Sequence, residues 1–226
     1  MFLSKLQKRW ARFWMKFAGL NRFGRVAASF ATWLAPPYKG RTYLAHLTPN
    51  SYVSPDASIF HKKLELGNNV FIGERSVIYQ AQNGGSVKIG KRTHLHQDII
   101  IETGDGGSLI IGNDTHIQPR CQFSAYKGSI IIGSNVQIAP FCAFYPYNHQ
   151  FASGRSIQDQ DLVTKGGIII EDDVWIGVGA IVLDGVRIGR GAVVGAGAVV
   201  SDNIPDESIA AGVPARVVKL RKDFPQ

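Results

Sequence analysis

The chain has 226 residues, a formal net charge of +8, 25 glycines and two cysteines. That length supplies one core comfortably, and two cysteines exclude a disulfide-stapled scaffold. The charge is concentrated: residues 1–55 hold nine basic side chains (Lys5, Lys8, Arg9, Arg12, Lys16, Arg22, Arg25, Lys39, Arg41) and no acid, and the remainder is close to neutral.

Residues 1–50 read as a basic, aromatic extension. Leu3, Leu6, Trp10, Phe13, Trp14 and Phe17 recur at three- and four-residue spacing, with Lys5, Lys8, Arg9, Arg12 and Lys16 filling the other side. This is an amphipathic helix suited to an interfacial contact with a membrane surface through residues 2–25, or to packing on the rest of the chain. Charge interrupts it too often for a membrane span, and no secretory leader is expected, so the predicted location is cytoplasmic, peripheral on the inner face of the membrane. A second apolar stretch, Val26 to Ala35, ends at Pro36-Pro37. No nucleic-acid-binding motif accompanies the charge, so nucleic acid is not an expected partner.

From 51 to 208 the sequence repeats in hexads. Ile170, Ile176, Val182, Ile188, Val194 and Val200 share one phase, and four residues after each stands a small or β-branched residue, Val174 to Ile204. Helical spacing is absent, and constant short pitch broken by glycine predicts a parallel β-solenoid with three hexads per coil. Upstream triplets follow: Leu66, Ile72, Ile78; Ile89, Leu95, Ile101; Ile111, Ile117, Phe123; Ile132, Ile138, Phe144. Val53 and Ile59 open an incomplete first coil. The step from 132 to 170 leaves an excursion over 146–166, and loops of that length are usually functional. Residues 209–226 form a basic tail. Cys121 and Cys142 fall at one hexad position in successive coils and are expected to face inward.

These hexads, with the tail VWIGVGAIVLDGVRIGRGAVVGAGAVVSDNIPDESIAAGVPARVVKLRK, resemble the hexapeptide-repeat acyltransferases, and within them the maltose, galactoside and nodulation-type O-acetyltransferases. The resemblance covers roughly 53 to 222. It implies an all-β fold, the left-handed parallel β-helix, with acetyl-CoA as acyl donor and no metal. It also implies a homotrimer whose sites lie between subunits and, with the basic extension, a saccharide acceptor such as a glycan, polysaccharide precursor or lipid-linked sugar. His149, in YPYNHQF where the coil yields to the excursion, matches the family's general base, with Asn148 beside it. Trp175 is expected to wall the site. Val178 and Ala196 match main-chain contacts to the cofactor arm, Ser201 follows, and Arg216 and Lys219 match the basic pair near the nucleotide phosphates. The family's acidic acceptor-binding residue is replaced by Lys127, which suits an anionic acceptor or a plain turn. Glu171, Asp159 and Asp161 are sequence neighbours that could orient His149.

His94 and His116 each follow a threonine at the end of a hexad in adjacent coils, which stacks them on one outer face; a metal pair and an acceptor contact are alternatives, but they read as surface histidines, and the role of His96, within a hexad, is open. Carbonic anhydrases of the γ class share the fold, but their two histidines five residues apart are absent here. N-acylation of an amino sugar or a drug, and a non-catalytic scaffold, are the alternatives to O-acetylation.

Overall fold

A computed structural model describes residues 5–223. The hexads form a three-faced prism of stacked parallel strands. One face carries the column Leu66, Ile89, Ile111, Ile132, Ile170 and Ile188. The next carries Val53, Ile72, Leu95, Ile117, Ile138, Ile176, Val194 and Ala210. The last carries Ile59, Ile78, Ile101, Phe123, Phe144, Val182 and Val200. We call them the Leu66, Ile72 and Ile78 faces. Every triplet read from the hexads gives one residue to each column, Val53 and Ile59 begin the stack, and the chain visits the faces in that order within each coil.

The columns point inward because side chains alternate along a strand, so the aliphatic at each phase is buried while its neighbours face out. Phe123 and Phe144 stack in the core with ring centres 4.6 Å apart. Cys121 and Cys142 are buried as expected, and the neighbouring Cys142 thiol together with burial pushes the Cys121 thiol up. Corners need a left-handed residue. Glycine supplies it in the last coils, as at Gly179 (φ 70°) and Gly197 (φ 67°), whereas Asn69 (φ 60°), Asp114 (φ 54°) and Lys127 (φ 61°) supply it earlier. Gly177 is needed for close approach instead, since a Cβ there would lie 2.6 Å from the Ala196 backbone nitrogen of the coil above.

The extension forms two helices, α1 (Lys5–Met15) and α2 (Arg22–Trp33), then a 3-10 segment at Tyr38–His46. Asn21 caps α2 by accepting from the Gly24 amide at 2.6 Å. Both helices pack on the open end of the prism: Ala11, Met15, Ala28, Ala31, Leu44, Tyr52 and Phe71 form a second buried cluster. Arg25 donates to the carbonyls of Ser54, Pro55 and Ala57, bolting α2 to the first coil. The expected stripe on α1 is therefore divided. Trp14 stacks on Phe30 at 4.4 Å, while Leu6, Phe13 and Phe17 stay exposed; Leu3 lies outside the described residues. No described helix is long and apolar enough to cross a membrane. The segment expected as a tail begins within the strand Ser208–Ala211, and Arg216–Leu220 folds back antiparallel to it, closing the Ile72 face.

Candidate active site

The excursion is a short hairpin rather than a free loop. Asn148–His149 pairs antiparallel with Leu162–Val163, His149 opposite Leu162. A buried carboxylate holds its root. Asp184 accepts from the Lys165 amide (2.6 Å), the Thr164 hydroxyl (2.9 Å), the Gly167 amide (3.2 Å) and the Asn148 side-chain amide (3.3 Å). Gln160, also buried, closes the tip by accepting from the Ala152 amide and donating to the carbonyls of Ala152 and Arg155. His149 is exposed and lines an open cavity of about 690 Å³ with Phe151, Arg155, Thr164 and Lys165.

Neither the repeat nor the resemblance singled out Asp184, whose only sequence signal is the Asp184-Gly185 pair within an otherwise apolar hexad. Glu171 is engaged elsewhere: it accepts from Arg187 and from the Arg190 amide.

The residues matched to the cofactor occupy another corner. Val178 and Ala196 stand where the chain turns from the Ile72 face to the Ile78 face, in successive coils joined by Gly197 N–H to the Val178 carbonyl at 2.8 Å. Both are exposed, and their own amides have no acceptor among the described residues. Trp175, 57% exposed, stands on the outer side of the Ile72 face just before this corner. Ser201 accompanies Asp202, which pairs with Arg216 at 2.9 Å. Lys219 lies exposed on the same closing strand. Lys127 occupies a turn and pairs with Asp105 at 3.1 Å, outside the cavity beside His149.

On one chain, then, His149 leaves the Ile78 face and the Val178–Ala196 edge enters it. One full side of the prism separates them, on the order of 15–20 Å for a hexad at ~3.3 Å per residue.

His94 and His116 do stack, as their spacing predicts: they are paired in register with ring centres 4.6 Å apart. His94 is not a surface residue, however, because the Tyr38–His46 segment covers it. Its ring lies 5.4 Å from that of His46, and it is 7% exposed. His96 is 4% exposed. Burial, then the neighbouring histidines, pushes His94 down to about 4; burial, then Lys39 and His116, does the same for His96.

A family model for the bacterial transferase hexapeptide, six repeats, matches residues 167–202. Residues 167–202 are thus hexapeptide repeats of the bacterial transferase type. Its left-handed β-helix is shared with solved structures. The polySia-specific acetyltransferase NeuO is 24% identical with a TM-score of 0.58, covering 76% of each chain. A proposed acetyltransferase of Bacillus cereus is 26% identical, with a TM-score of 0.57 over 74% of this chain and 88% of that one. The N-acyltransferase AntD of Bacillus cereus, as a mutant in complex with dTDP-4-amino-4,6-dideoxyglucose and coenzyme A, is 22% identical, with a TM-score of 0.54 over 73% of this hexapeptide-repeat chain and 82% of its own. No curated protein sequence matches the chain.

Proposed function

We propose that this hexapeptide-repeat protein is an acetyl-CoA-dependent O-acetyltransferase acting on a sugar hydroxyl of a glycan, polysaccharide precursor or lipid-linked saccharide. The observation that carries the reading is His149: an exposed imidazole held on a braced hairpin at the lip of a cavity. In its neutral form the imidazole accepts the acceptor hydroxyl's proton as the oxygen attacks the thioester carbonyl. When the tetrahedral intermediate collapses, the C–S bond breaks and the proton passes to the departing sulfur. The free Val178 amide is suited to the thioester carbonyl and its developing charge, and the Ala196 amide to the arm above it. Arg216 and Lys219 lie further along the same end, where cations suit phosphates. Asn148, which lines the cavity with His149, is assigned to the acceptor; Lys127, paired with Asp105 outside that cavity, keeps the reading of a turn residue.

Because His149 and the Val178–Ala196 edge occupy different corners, one chain does not unite them, and a threefold assembly with His149 of one subunit facing the edge of the next does. Thiol release from acetyl-CoA over a panel of glycan and amino-sugar acceptors tests the chemistry. Acceptor-dependent release should fall roughly 10²–10⁴-fold in His149→Ala. Release unaffected by that change, or no release and no coenzyme A binding, removes the reading. Co-expressing His149→Ala with Ala196→Trp tests the composite site: random mixed trimers should recover about a quarter of wild-type activity if the halves come from different chains, and none if they come from one.

A further inference from the structure

We propose that His94, His96 and His116 form a binding site for a divalent late-transition cation, zinc being the expected ion, under the N-terminal extension and apart from the transfer chemistry. One ligating atom from each of the three lies within 4.8 Å of the other two. The placement follows from the hexad. His94 and His116 occupy the same outward position in adjacent coils of the Ile72 face. His96, two residues after His94, returns to the same side of the chain.

Two of these rings carry a buried nitrogen with no hydrogen-bond partner, Nε2 of His94 and Nδ1 of His96, and both residues are more than nine-tenths buried. Leaving such atoms unpaired costs about 1–3 kcal/mol each, so a ligand is the simplest satisfaction for both at once.

The donor set selects the ion. Three imidazoles and no carboxylate disfavour magnesium and calcium, which take oxygen, and suit zinc, copper or nickel. A tetrahedral zinc with Zn–N of about 2.0–2.1 Å holds its nitrogens roughly 3.4 Å apart. The 4.8 Å envelope therefore closes by ring rotations that move each nitrogen by about 1 Å or less. The fourth position falls to water or to His46, whose ring is next to that of His94. Two nearby charges oppose each other: Lys39 acts on His96, and Asp114 acts favourably on His116. Since His46 belongs to the segment that covers the cluster, a bound ion would lock the extension onto the third and fourth coils.

The test uses the full chain without a histidine tag, stripped with chelator and titrated with zinc against a chromophoric competitor. Thermal unfolding and the visible spectrum of the cobalt-loaded protein are read in parallel. The expected result is one zinc per chain, a rise in Tm, and a tetrahedral cobalt spectrum. His116→Ala, at a partly buried position, should weaken binding roughly 10-fold or more and abolish the Tm rise. His149→Gln should leave both unchanged. If His94→Gln fails to fold, His116→Ala still decides. Zinc bound well below one per chain, or bound equally by wild type and His116→Ala, overturns the proposal.

Discussion

Replacing Asp184 by asparagine is the sharpest probe of how the hairpin carrying His149 is held. The carboxylate accepts four hydrogen bonds, two on each oxygen: Lys165 N and Asn148 Nδ2 on Oδ2, Thr164 Oγ1 and Gly167 N on Oδ1. Asparagine has one acceptor oxygen, so its NH2 must face two donors. The least costly choice keeps the short bond from the Lys165 amide and turns the NH2 toward Thr164, whose hydroxyl can reverse and accept. Gly167, buried in the coil, then loses its partner. A buried unpaired N–H costs about 1–3 kcal/mol, and the three surviving contacts lose their charge assistance, giving roughly 2–4 kcal/mol in all. For a chain of this size that is a Tm fall on the order of 10 °C. Urea and thermal unfolding measure the sum, and amide hydrogen exchange at Lys165 and Gly167 reports its location. A change under about 0.5 kcal/mol with unaltered exchange at both amides would refute the claim that this carboxylate braces the hairpin.

Three further outcomes are expected. In metal-free protein, His94 and His96 titrate near 4 when folded and near 6.5 when unfolded, so the unfolded chain binds more protons between those values. Stability should fall as pH drops from about 6.5 toward 4, by up to roughly 3 kcal/mol for either group acting alone; a urea midpoint flat across that window in the chelator-stripped wild type would contradict it. Phe144→Ala, which empties a fully buried position stacked on Phe123, should cost about 3–5 kcal/mol in equilibrium unfolding, and a loss below about 1 kcal/mol would show that the core collapses to fill the space. Sedimentation with anionic vesicles should be strong for wild type, weakened by salt, and reduced by Leu6→Glu with Phe13→Glu, because both side chains project from α1 among Arg9, Arg12 and Lys16. Equal sedimentation of the double variant would place that apolar surface against protein instead.

The columns of the prism were legible because a solenoid is a one-dimensional problem. Each inward aliphatic repeats at a fixed interval, and its partner is the same residue one coil on, so the triplet Ile111, Ile117, Phe123 already names the neighbours of Ile132, Ile138 and Phe144. The outward positions obey no such rule. His94 looked like a surface residue because its environment is set by Tyr38–His46, some fifty residues earlier, and nothing local to Thr93-His94 signals a cover. Asp184 escaped for the same reason: its hydrogen bonds run to a hairpin root seventeen to thirty-six residues upstream. The division of the α1 stripe is also a tertiary outcome, decided by which face Phe30 meets.

The proposed sharing of the site between chains rests on the same geometry. A prism built from hexads keeps each corner in a straight line along its axis, since every coil repeats the one below. Residues separated by a multiple of one coil stay on one corner, as Val178 and Ala196 do, and residues offset by a hexad never meet however the coils stack. His149 is offset in this way from the Val178–Ala196 edge, and the hairpin pairs with itself rather than reaching across the Ile78 face. Rigid corners can be brought together only by setting two prisms side by side. A rotation that closes makes each prism give one corner and receive another. If the protein proves to be an active monomer in solution, the corners are not fixed, and the hairpin must swing across a whole face during turnover.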